Sequence, residues 1–122
     1  MSDASDAEPN RDDDYCYLTT NGRRTGRRHR IEIWYAAEGA TVYLLSGGGR
    51  SSDWVQNLER DPEVRVELGG DELRGRARVL EGSDDAERAR TLVFGKYAAR
   101  LGRDLTDWRD RALPVAIDLE GA

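Results

Sequence analysis

The chain holds one cysteine, Cys16, and one histidine, His29, in 122 residues. A lone thiol closes no internal disulfide, and one thiol with one imidazole falls short of a structural zinc site, so disulfide scaffolds and zinc modules are excluded. No apolar run approaches the roughly 18 to 20 residues that cross a bilayer, and no cleavable signal pattern opens the chain. A secreted or membrane-spanning protein is not expected, and a cytoplasmic one is. No internal period marks a repeat array.

An overall excess of either charge is lacking too, once the net charge of -5 is located. Residues 1–14 hold six acids (Asp3, Asp6, Glu8, Asp12, Asp13, Asp14) against Arg11, which accounts for the whole imbalance. Without aromatics, and rich in Ser, Asp and Ala, this segment buries too little apolar surface to offset its ordering entropy, so residues 1–14 are expected to be a disordered acidic leader that serves solubility. Residues 15–122 balance 18 acids with 18 bases. They form one domain, large enough to remove roughly two thirds of its unfolded surface from water.

From Tyr15 the pattern is that of β-structure. Tyr15, Tyr17 and Thr19 alternate with Cys16, Leu18 and Thr20. Asn21-Gly22 with Gly26 then supplies positive-φ positions for a reversal. A second strand is expected over about 30–36, with Ile31, Ile33 and Tyr35 on one face and Glu32 and Trp34 on the other. Thr41 to Ser46 has apolar residues in succession, as a strand covered on both faces requires. Ser52 or Asp53 can cap a short helix over 54–60 that turns Trp54, Val55 and Leu58 inward before Asp61-Pro62 stops it. Val64, Val66 and Leu68, then Gly69-Gly70, then Leu73, Ala77 and Val79 predict a hairpin with one wet face. Ser83-Asp84-Asp85 opens a longer helix carrying Ala86, Ala89, Val93, Tyr97 and Leu101 along one side. A short turn at Thr106 bears Trp108, and Leu113 to Leu119 makes the last strand. The fold class expected is α+β, mostly β: a small barrel of about six mainly antiparallel strands with two or three helices.

Two features could bind a ligand. Arg23, Arg24, Arg27, Arg28 and Arg30 surround His29 with no acid between residues 21 and 31. Guanidinium groups match phosphate and carboxylate oxygens bidentately, so the turn can clamp an anion. Balanced charge elsewhere and no interleaved aromatic platform argue against nucleic acid, leaving a solvated hairpin tip or a phosphate-bearing small molecule. Ser46-Gly47-Gly48-Gly49, between a strand and a helix start, lets backbone N–H groups approach an anion. It has no Gly-Lys-Ser/Thr and no dinucleotide-fingerprint spacing. No nucleophile–base pair and no metal ligand set stands out, so any enzymatic chemistry here belongs to a cofactor.

Leu18-Thr19-Thr20-Asn21-Gly22-Arg23-Arg24-Thr25-Gly26, Ile31-Glu32-Ile33-Trp34-Tyr35, Ser46-Gly47-Gly48-Gly49, Ser52-Asp53-Trp54-Val55-Gln56-Asn57-Leu58 and Asp61-Pro62-Glu63-Val64, in that order, resemble the deazaflavin-dependent nitroreductase family. The resemblance implies a split β-barrel that binds coenzyme F420 and passes a hydride from its reduced form to a quinone, nitroaromatic or similar small acceptor. By the same resemblance, Arg23 and Arg24, with His29 beside them, hold the cofactor's phosphate and oligoglutamate tail. Ser46, Gly47 and Gly48 face phosphate or ring oxygens, Trp54 and Asn57 close the groove, and Ile31 and Trp34 flank the ring. Tyr97 and Trp108 remain of the family's tyrosine-rich acceptor site, and no side chain is catalytic in the acid–base sense. The sequence departs from relatives at Gly47, where a lysine is frequent, and at Glu32, near a proline position. Flavin mononucleotide is the alternative cofactor, and a non-enzymatic carrier of flavin or deazaflavin the alternative function. A homodimer is an open expectation.

Overall fold

A computed structural model of the chain describes residues 15–101, the backbone alone over 99–101, and residues 106–120. The expected acidic leader and the side chain of Leu101 lie outside the described residues. Alternation in the first run produces β1 (Cys16–Asn21), buried at every second residue. Its hairpin partner is β2 (Arg28–Ile33), joined in register from Cys16↔Ile33 to Asn21↔Arg28. Strands β3 (Ala36–Glu38) and β4 (Thr41–Ser46) form a second hairpin around Gly39. A single turn of 3-10 helix over Gly49–Ser51 leads into helix α1 (Asp53–Arg60). Asp61, at the C-cap, is extended (φ -137°), as a residue before proline must be, and the helix stops there.

The hairpin of β5 (Glu63–Leu68) and β6 (Asp71–Val79) follows. Gly75 takes an inward position of β6 because a Cβ there would lie 2.5 Å from Ile117 Cγ2. Helix α2 (Asp85–Leu101) opens where the Ser83 hydroxyl accepts a bond from the Asp85 N–H at 3.2 Å. Helix α3 (Thr106–Arg111) and strand β7 (Leu113–Leu119) complete the described chain. No described helix is long and apolar enough to cross a membrane.

All seven strands join one antiparallel sheet in the order β2-β1-β5-β6-β7-β4-β3, curled into a half-barrel. The class is the one expected, and the described residues form seven strands where about six were expected. The run expected as one strand over 30–36 begins earlier, at Arg28, and breaks at Trp34-Tyr35. Its first part pairs with β1 at one edge of the sheet and its second with β4 at the other. Two residues thus connect the two edges, which holds Ile33 and Ala36 within about 11 Å of each other. The sheet must curl for that link to close.

Curling creates two cores. Inside the half-barrel, Leu18, Val42, Leu44, Val55, Leu58, Val66, Val115 and Ile117 pack together. Outside it, α2 lays Ala86, Ala89, Val93 and Tyr97 over Ala36, Tyr43, Leu45 and Ala116. Strands β4 and β7 are consequently buried on both faces, as the unbroken apolar run of β4 required. The outer face of β1, β2, β5 and β6 stays wet.

Candidate cofactor site

The turn after β1 is tight. Gly22 N–H donates to Arg27 O at 2.7 Å and Gly26 N–H to Gly22 O at 2.9 Å. Of the two glycines, only Gly26 has positive φ (76°); Gly22 is needed for a different reason from the one its sequence position suggested. A Cβ at Gly22 would come within 2.8 Å of His29 Nε2 and 2.9 Å of Arg27 O. Close approach, rather than handedness, demands glycine there.

Helix α1 holds this turn in place. Asn57, 1% exposed, accepts from the Arg23 backbone N–H at 3.2 Å and from the Arg23 guanidinium at 2.9 Å. Its amide Nδ2 donates to Thr20 Oγ1 at 3.1 Å, so both ends of the buried amide are satisfied. Arg23 also reaches Asp53 at 3.3 Å, and Asn21 Nδ2 donates to Asp61 at 3.0 Å. A groove of about 250 Å³ results, lined by Gly22, Arg23, Arg24, Thr25, His29, Asp53 and Asn57. Arg24, Arg27 and Arg28 have no carboxylate partner among the described residues, whereas Arg30 pairs with Glu67 at 2.7 Å. Of these three only Arg24 lines the groove, where its guanidinium can meet an anionic ligand; Arg28 lines a second cavity with Glu63, Arg65, Arg74 and Glu120.

The glycine loop lies at the other end of α1. Ser46, 2% exposed, donates through Oγ to Gly49 O at 3.1 Å and lies 2.9 Å from Ser52 Oγ. Ser52 occupies the N-cap position of α1, but its side chain makes no capping bond. This departs from the expected cap, because the Ser52 hydroxyl faces Ser46 instead. The first-turn N–H groups of α1 therefore keep their affinity for an anion. Gly47 is exposed and packs beside Trp108, whose Cδ1 and Nε1 would lie 3.7 Å from a Cβ there.

The aromatic residues form a third group. Trp34 stacks on Tyr97 with centroids 4.5 Å apart and meets Trp108 edge-on at 5.4 Å. Tyr97 is 2% exposed, and its hydroxyl accepts from Tyr35 N–H at 3.0 Å and donates to Tyr35 O at 3.1 Å. That hydroxyl is committed to backbone. The structure thus brings Arg23, Arg24, His29 and Asn57 together at the groove, Ser46, Gly47 and Gly48 at the loop, and Trp34, Tyr97 and Trp108 in one cluster whose Trp108 lies beside Gly47. Trp54 and Ile31 instead pack, half-buried, on the interior core. Sequence reasoning missed Lys96, whose Nζ donates to Tyr35 O at 3.0 Å, and the placement of Thr20. Thr20 shares the inward parity of Cys16 and Leu18, and a buried hydroxyl at that position demands a partner such as Asn57. Among the described residues no group of three or more His, Cys, Asp or Glu is arranged for a metal ion.

Residues 6–120 match a family model described as F420H2-dependent quinone reductase. Among solved structures, a conserved hypothetical protein of Mycobacterium tuberculosis is similar at TM-score 0.75 and 23% identity, over 98% of this chain and 81% of that one. An F420H2-dependent reductase is similar at TM-score 0.69 and 24% identity, over 88% of this chain and 94% of that one. A chain described as a domain-swapped dimer is similar at TM-score 0.68 and 25% identity, over 88% of this chain and 80% of that one.

Proposed function

The chain belongs to the F420H2-dependent quinone reductase family, and from that premise we propose that its arginine turn and glycine loop hold the coenzyme while its aromatic cluster borders the quinone. The observation that carries the reading is Arg24, without an acidic partner among the described residues, in a groove that it shares with Arg23 and His29 on a turn held by Asn57. A phosphate and oligoglutamate tail is the complementary charge. Arg23 shapes the groove through Asn57 and Asp53, and Arg24 offers its guanidinium to the tail. The loop at Ser46–Gly48 and the open first turn of α1 accept further anionic oxygens.

When bound, the reduced coenzyme supplies the hydride. The chain's own residues bind and orient: with no nucleophile–base pair at the site among the described residues, alignment of donor and acceptor carries the rate. Nitroaromatics join quinones as acceptors in this proposal, and a cytoplasmic setting and a homodimer complete it.

Fluorescence titration with F420, and with flavin mononucleotide as competitor, tests the reading. Replacing Arg23 and Arg24 by Ala is expected to weaken F420 binding by about 1.5–3 kcal/mol per lost charged hydrogen bond, and by less at high salt. Arg24→Ala alone lowers affinity while leaving the thermal midpoint in place. Unchanged affinity in both variants, or no oxidation of reduced F420 by menadione with the wild-type protein, overturns it.

A further inference from the structure

The Trp34-Tyr35 link lies beyond the last rung of one sheet edge, Cys16↔Ile33, and before the first of the other, Ala36↔Tyr43. The peptide groups of Tyr35 thus stand outside both ladders, and Tyr35 is 0% exposed. Buried peptide groups need partners, and α2 provides them from consecutive residues. Tyr97 Oη bonds both the N–H and the C=O of Tyr35, and Lys96 Nζ donates to the same carbonyl at 3.0 Å. Lys96 Nζ also stands 3.6 Å from the centroid of the Tyr35 ring. Helix α2 thereby fixes the link through two consecutive side chains.

Fixing Tyr35 fixes its neighbour. Trp34 has one face on the Tyr97 ring, nearly parallel at 8°, and meets Trp108, which packs beside Gly47, in a T-shaped contact. A continuous set of contacts runs from the Tyr35 peptide through Trp34 and Trp108 to the glycine loop. Trp34 is only partly buried, so part of its surface remains available to a ligand.

We propose that Lys96 and Tyr97 are positioning residues for quinone reduction: by holding the Tyr35 peptide they orient the Trp34 indole as a wall for the planar acceptor. The proposal rests on the function read above and goes beyond it, since it makes Tyr97 act through Trp34 rather than on the acceptor. Trp34, expected from the resemblance to flank the coenzyme's ring, faces the acceptor in this proposal, and the coenzyme's anionic tail is held at the arginine turn, so coenzyme affinity should depend little on this lock.

Tyr97→Phe keeps the stacked ring and removes the hydroxyl, and Lys96→Gln removes the cation while staying polar. The near-UV circular dichroism of the protein without cofactor reports the aromatic cluster directly, and both variants are expected to lose part of that signal with unchanged far-UV spectra. In turnover with reduced F420, each should raise the KM for menadione about 3- to 10-fold, with kcat and the F420 dissociation constant within about twofold of wild type. In a Trp34→Phe background, adding Tyr97→Phe should raise KM no further, because the effect passes through Trp34. Unchanged near-UV spectra, an unaltered KM, or a full additional effect in the Trp34→Phe background overturns the proposal. A wild-type protein without quinone turnover overturns the functional reading, and the Trp34 wall for the acceptor falls with it; the near-UV spectra then tell whether the lock on the link survives as structure alone.

Discussion

Strands β2 and β4 have six residues each, yet β4 is buried at five positions and β2 is nowhere fully buried. Position in the sheet makes the difference. Strand β4 lies between β3 and β7, with the barrel interior on one face and α2 on the other, whereas β2 is an edge strand with a bare outer face. The covered half provides stability through apolar area, and the open half gathers cations that a buried strand could not solvate. The anionic ligand proposed above would sit on the half of the sheet that no helix covers.

The largest expected effect lies in the covered half. Leu44→Ala, at 0% exposure, should cost about 2–5 kcal/mol of stability in denaturant unfolding. Ile31→Ala in β2 should cost less, because part of that side chain is already in water. An equal loss at both positions would erase the contrast between the halves.

Next comes the joint between the open hairpin and the helix below it. Asn57→Ala leaves Thr20 Oγ1 and the Arg23 donors without their buried partner and should cost about 1–3 kcal/mol. Amide exchange at Gly22 and Gly26 should quicken in the same variant. Slow exchange there would show that the turn is rigid without α1.

A smaller effect is expected from Asp118, the one exposed residue of β7. Hydrogen bonding from Arg78 holds its carboxyl below the ordinary carboxylate range, against the opposing pull of partial burial. Its stabilisation is whole above the unfolded value of about 3.9 and is lost as the pH falls through the lower folded value. Both side chains are close to half exposed, so the contribution sits in the range of about 0–1 kcal/mol and is weaker in salt. Asp118→Asn should flatten the acid limb of a stability–pH curve by that amount, and a steeper limb would contradict the assignment.

The smallest effect belongs to the acidic leader, proposed to serve solubility. Deleting residues 1–13 should leave the thermal midpoint and turnover nearly unchanged. A shift of more than tenfold in F420 affinity would join the leader to the open half.

Much of the fold was legible because one signal sufficed locally. Period-2 alternation marked β1, β5 and β6, apolar runs marked β4 and β7, and the stripe Ala86, Ala89, Val93 and Tyr97 marked the buried side of α2. The break at Trp34-Tyr35 carried no local mark: the residues are β-formers with unbroken alternation, and only pairing with two different edges divides them. The arginine turn and glycine loop were visible as compositional outliers. That Arg23 is engaged by Asn57, and that the Ser52 hydroxyl turns to Ser46 rather than to the helix, depends on partners 34 and 6 residues away.

The class of the fold, the family and the place where positive charge gathers can be read along the chain, because periodicity, glycine positions and ordered motifs are properties of neighbouring residues. Tertiary structure alone decided that two residues bridge the sheet's edges, that α2 satisfies the peptide groups of that bridge, and that Trp34 comes to rest between Tyr97 and Trp108. Those outcomes depend on which buried donors find which acceptors across as many as 62 residues of chain, and no local pattern encodes such a meeting.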